Sequence, residues 1–212
     1  MKLNFKVLLF IGLMLTVELA KAQSNKVQQV SFGVKVGANL TTLGTFTIFD
    51  KKYDYDYKTG LVAGLFSEIS LLPKLNLVAE ANYSEKGANV EANISGFIVN
   101  VKQRLNFLDI PIAVSYEALP KFSVFAGPQA AFILSQRSET FYNGVSNAKN
   151  TDTDKIAKPI ISAIAGLNYQ YKRHLIFNGR YMFDVKKGAK DKDPMFEDVR
   201  NSGFSLTVGY KL

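Results

Sequence analysis

Apolar residues recur at every second position along most of this chain, and that period constrains the fold more than any other feature. In residues 107–132 one face carries Leu108, Ile110, Ile112, Val114 and Tyr116. The opposite face carries Asp109, Pro111, Ala113, Ser115 and Glu117. After a break at residues 118–121 the alternation resumes with Phe122, Val124, Ala126, Pro128, Ala130 and Phe132. Side chains alternate across a strand, so two such runs joined by a short polar turn predict an antiparallel hairpin with one greasy face.

The same pattern marks residues 32–40, 61–71, 75–84, 160–169, 175–184 and 203–212, which brings the total to eight runs. Short connections alternate with long ones. Leu72-Pro73-Lys74, residues 118–121 and residues 171–174 are short, whereas residues 41–59, 85–104, 136–159 and 185–201 are long. An even number of antiparallel strands with short turns at one end and long loops at the other predicts an eight-stranded up-and-down transmembrane β-barrel. Such barrels keep their short turns in the periplasm and their long loops outside the cell, so both termini are expected to be periplasmic.

Residues 1–22 fit a secretory signal. Lys2 and Lys6 form a basic end, residues 7–17 an apolar run, and Ala20-Lys21-Ala22 a small-residue cleavage site. The run is well short of the ~20 apolar residues a spanning helix needs. Residues 23–212 are then expected to form one outer-membrane barrel domain.

An eight-stranded soluble barrel also alternates, so the polar face decides which side is out. A water-facing exterior would be rich in Lys and Glu. Here the polar positions are mostly Gly, Ser, Ala and Asn, small enough to crowd a narrow lumen. The apolar face carries aromatics near the strand ends: Phe32, Tyr116, Phe122, Tyr169 and Tyr210 on the turn side, Tyr83, Phe132, Tyr181 and Phe183 toward the loops. That distribution suits two interfacial girdles. Lys35, Glu68, Glu80, Asp109, Arg180 and Asp184 then point inward. Lys35 is expected beside Glu68, and Glu80 at the height of Arg180 on the facing wall. Such charges either pair to offset desolvation or gate a small conduit. The inward Phe66, Val78, Phe125, Ile164, Ile176 and Met182 favour a filled lumen. Pro111 and Pro128 predict bulges or irregular pairing. A change in apolar parity between Leu105 and Leu108 predicts a bulge there.

The formal net charge of +8 is a modest excess with both signs interspersed, which disfavours nucleic-acid binding. There is no cysteine, hence no disulfide or thiolate site. His174 is the only histidine and falls in a short turn, which argues against a His-dependent lipid hydrolase. No cofactor site is legible. Three D-x-D pairs, Asp54/Asp56, Asp152/Asp154 and Asp191/Asp193, have the oxygen chemistry for calcium but lack a full ligand set. The first long loop is aromatic. Phe46, Phe49, Tyr53, Tyr55 and Tyr57 either pack on neighbouring loops or form an extracellular recognition surface.

Four segments together resemble the PorT-like outer-membrane β-barrel domains of Bacteroidota. They are residues 33–39 (GVKVGAN), 107–111 (FLDIP), Ala126-Gly127-Pro128 and residues 208–212 (VGYKL). The resemblance spans essentially residues 23–212 and implies an outer-membrane barrel; it says little about task. Partners expected from these readings are outer-membrane lipid together with an extracellular ligand or proteins of an outer-membrane complex. A non-enzymatic barrel acting through its loops, a component of a secretion or assembly complex, and a lipid-modifying enzyme are the three functional readings.

Overall fold

A computed structural model describes residues 29–42, 44–48, 51–54, 56–94, 97–142, 145–150, 159–185 and 201–212. The expected signal at residues 1–22 lies outside them. So do Phe49, Tyr55, Gly96, expected near the tip of a hairpin from Tyr83 to Phe107, and the Asp152/Asp154 and Asp191/Asp193 pairs.

The alternating runs form strands β1 (Val30–Thr42), β4 (Asp56–Leu72), β5 (Leu75–Ile94), β6 (Phe97–Leu119), β7 (Phe122–Tyr142), β9 (Ile160–Gln170), β10 (Leu175–Asp184) and β11 (Ser202–Lys211). These eight close into an antiparallel barrel: β6-β5-β4-β1-β11-β10-β9-β7, with β7 returning to β6. First and last strands pair from Gly33↔Lys211 to Thr42↔Ser202, so the barrel is closed by the two ends of the chain. Two short strands, β2 (Thr45–Ile48) and β3 (Lys51–Asp54), form a separate hairpin between β1 and β4. β8 (Val145–Asn150) adds to the loop-side end of β7.

The barrel is apolar outside and polar within. Leu206 (71% exposed), Leu65 and Leu167 stand on the outer wall, while Asn39, Thr41, Ser84 and Gln129 are almost fully buried in the lumen. Only a lipid environment makes that inversion favourable, since each outward Leu in water would forfeit roughly 2 kcal/mol of burial.

The strands are unequal. β9, β10 and β11 have 11, 10 and 10 residues, close to the ~9–11 that a membrane crossing needs. β5, β6 and β7 have 20, 23 and 21. The long connection at residues 85–104 is hairpin, as expected for the stretch from Tyr83 to Phe107, with the strands paired from Glu85↔Asn106 to Ile94↔Phe97. One wall of the barrel continues past the loop-side end of the others as a projecting sheet of β5, β6, β7 and β8.

Irregular pairing at the prolines and a bulge between Leu105 and Leu108 were both expected, and both occur in a particular form. No register shift occurs at Pro111 or Pro128: β6 and β7 keep one register from Asp109↔Ala131 to Val114↔Ala126, and the ladder lapses only between Pro111 and Val114. The missing Pro donors remove bonds without inserting a residue. The bulge near Leu105 exists, but on the partner strand: Asn106 faces Ser135 while Phe107 faces Ile133, so the extra residue lies in β7. β6 itself does not slip, and Leu105, Phe107 and Asp109 all face inward and are buried.

Candidate functional site

Two regions carry the chemistry, the lumen and the projecting sheet. At the centre of the lumen Glu80 on β5 receives Arg180 from β10 in a two-pronged contact, Nη1 to Oε2 at 2.9 Å and Nη2 to Oε1 at 2.8 Å. Lys35 on β1 bonds to the same carboxylate, and Asn82 Nδ2 donates to Oε2 at 2.8 Å. Arg180 Nε donates to Asn178, which donates to Asn168. The fork engages both carboxylate oxygens with the two terminal guanidinium nitrogens while Asn178 holds Nε, and a buried pair requires partners of this kind.

The expected neighbour of Lys35 was Glu68, and the register corrects this. Lys35 lies opposite Gly64, whereas Glu68 lies opposite Ser31, two inward positions nearer the turns. Gly64 has no side chain, so Lys35 reaches across β4 to Glu80. A Cβ at Gly64 would meet Asn82 Oδ1 at 2.2 Å and the Ala81 carbonyl at 2.4 Å. Glu68 pairs instead with Lys211 at 2.8 Å and accepts from Asn76 at 2.6 Å, both half-buried at the turn-side mouth.

Toward the loops Asp109 pairs with Lys86 at 2.8 Å. Asp184 accepts from Ser162 Oγ at 2.6 Å and from the Asn201 backbone N–H at 3.1 Å. Sequence reasoning missed Lys86 because it ended the third run at Ser84. The signal was present, since Lys86 continues the inward even face of Asn82 and Ser84. Lys35, Lys86 and Arg180 thus face Glu80, Asp109 and Asp184, equal numbers of opposite charges.

Beside these polar centres lie two apolar clusters. Ala113, Phe125, Ile164 and Met182 fill the lumen beside Arg180, whose guanidinium lies 5.4 Å from the Phe125 ring centroid. Nearer the loops Ala88, Leu105, Phe107, Ala131 and Ile160 form a second cluster, with Lys86 4.9 Å from the Phe107 ring. On the turn side lies a cavity of about 40 Å³, lined by Lys35, Phe66, Glu68, Val78, Glu80 and Arg180 among others. That space suits a water or two.

The projecting sheet differs in its polar contacts. Arg104 pairs with Glu85 at 2.7 Å and Arg137 with Glu139 at 2.6 Å, with both arginines more than half exposed. Lys102 sits 5.2 Å from the Phe141 ring. Of the expected recognition residues, Phe46 and Tyr53 are opposed in the β2–β3 ladder, and Tyr57 is exposed at the loop-side end of β4. His174 stands at the turn-side rim, stacked on Tyr210 and 2.7 Å from the Lys211 carbonyl.

A family model described as outer membrane protein beta-barrel domain matches residues 21–185, most of the chain. The chain belongs to that family. Solved outer-membrane barrels resemble it in fold at low identity. Neisserial surface protein A gives a TM-score of 0.50 at 12% identity, with 87% of this chain and 99% of that one covered. Ail of Yersinia pestis, solved in complex with a heparin analogue, gives 0.48 at 11%, covering 87% and 99%. OprG of Pseudomonas aeruginosa gives 0.43 at 10%, covering 87% and 97%. No curated protein matches the sequence. The outer-membrane barrel assignment rests on the family match together with the closed, lipid-facing wall.

Proposed function

We propose that this outer-membrane barrel is a non-enzymatic protein with a plugged lumen, which binds or stabilises partners through its loop-side projecting sheet. The observation that carries this reading is the filled lumen: two apolar clusters stand beside the buried ion pairs and take up the space between the walls. A pore needs a continuous wet path, and general porins use roughly 16 strands to obtain one. In this reading the short turns and both termini face the periplasm. The sheet of β5 to β8 then stands outside the cell, where β6 at about 3.3 Å per residue outreaches a crossing strand by roughly 40 Å. Arg104 and Arg137 on it are more than half exposed, as a recognition surface requires.

The PorT-like resemblance supports a second reading, in which the same sheet docks onto an outer-membrane secretion or assembly complex. Photocrosslinkers at Tyr57, Arg104 and Arg137 in intact cells test both, with Leu206 on the lipid-facing wall as control. Discrete crosslinked proteins are expected from the first three positions and none from Leu206. Membrane proteins captured from the sheet favour the complex, and external proteins or glycans favour surface binding. Silence at all three positions contradicts both readings.

A further inference from the structure

The three short turns share a property that neither the lumen nor the projecting sheet explains. Each carries cations and no acid: Lys74 in the β4–β5 turn, Lys121 in the β6–β7 turn, Lys172 and Arg173 in the β9–β10 turn. All four are exposed, and among the described residues none takes part in an ion pair.

Two of them occupy an unfavourable backbone conformation. Lys74 has φ 69° and Lys121 φ 70°, in identical Leu-Pro-Lys turns. Pro before a left-handed residue builds a type II turn, whose third position favours Gly or Asn. The chain uses Lys there twice. The Lys74 carbonyl accepts from Glu117 N–H and the Lys121 carbonyl from Gln170 N–H, both at 2.8 Å, so each turn is held by the next strand.

Beside each cation the outer wall is apolar. Leu72 and Leu119 are 63% and 64% exposed, with Tyr116, Phe122, Tyr171 and Tyr210 in the same band. Phe122 and Tyr169 pack at 4.7 Å between centroids. This band continues the lipid-facing wall, so the cations stand where hydrocarbon gives way to headgroups. They are distributed over three different hairpins around the rim rather than gathered on one flat face, which suits separate small anions better than one protein partner.

We propose that the short-turn rim binds anionic phospholipid headgroups of the adjoining leaflet. Lys74, Lys121, Lys172 and Arg173 contact the phosphates, while Leu72, Leu119 and the aromatic band hold the acyl region. The rim fixes the depth of the barrel in the membrane and selects the lipids around it.

Native mass spectrometry of the whole protein in detergent tests this, using an equimolar mixture of phosphatidylglycerol and phosphatidylcholine. The protein is expected to retain phosphatidylglycerol in preference, by roughly fivefold for each cation engaged. The variant K74N/K121N/K172Q/R173Q is expected to retain the two lipids equally, with Asn keeping the left-handed positions. R104Q/R137Q, which removes loop-side charge, is expected to keep the preference. Where the quadruple variant does not fold, K172Q/R173Q alone is expected to lower the preference. Equal retention by the unaltered protein overturns the proposal. So does a preference that survives the rim changes, and so does displacement of the lipid by millimolar inorganic phosphate, which would mark a free-anion site instead.

Discussion

The lumen and the projecting sheet share strands β5, β6 and β7, yet they treat charge in opposite ways. Inside the barrel Glu80, Lys35 and Arg180 are buried and each finds its partner. On the sheet Arg104 and Arg137 hold their carboxylates while remaining mostly in solvent. Taking an ion out of water is costly unless its partner is in place, so the lumen residues are tied to stability. An exposed pair contributes little, so the sheet residues are free to serve recognition.

The largest expected effect is at the shared carboxylate. Glu80→Ala leaves Lys35 and Arg180 facing each other without a counter-charge and should cost about 3–5 kcal/mol. Arg180→Ala should cost less, because Glu80 keeps Lys35. The double change should cost less than the sum, as read by urea unfolding in lipid vesicles. Equal single costs, or additive ones, would show that the three groups act independently.

Next is the loop-side apolar cluster. Phe107→Ala opens a cavity beneath Lys86 and should cost about 3 kcal/mol in the same assay, with the sheet beyond it intact. The smallest effect belongs to the sheet. Arg104→Ala and Arg137→Ala should each change stability by less than ~1 kcal/mol while weakening whatever the sheet binds. A large loss of stability from either would erase the distinction between the two regions.

The same contrast explains what was legible in the sequence. Alternation marks strands and sides wherever the outer wall meets lipid, because there the two faces meet opposite solvents. It fails at Leu105 and Phe107, where the lumen itself is apolar and hydrophobicity no longer reports which way a residue points. Parity alone, continued past Ser84, places Lys86 inward. Glu80 with Arg180 was foreseeable from height, but the pairing of Lys35 was not. It depends on barrel stagger and on the missing side chain at Gly64, neither of which shows in the alternation of a single strand. Pro111 shows a third limit, since a lost donor is tolerated by a lapse in the ladder as readily as by a bulge.

The plugged lumen is the central claim, and planar-bilayer recording of the purified, folded barrel tests it most directly. The filled lumen predicts a quiet membrane, without stable open levels, and the same silence after truncation of the projecting hairpin. Large, reproducible open levels from the unaltered protein would contradict it and make the lumen, rather than the sheet, the working part of the molecule.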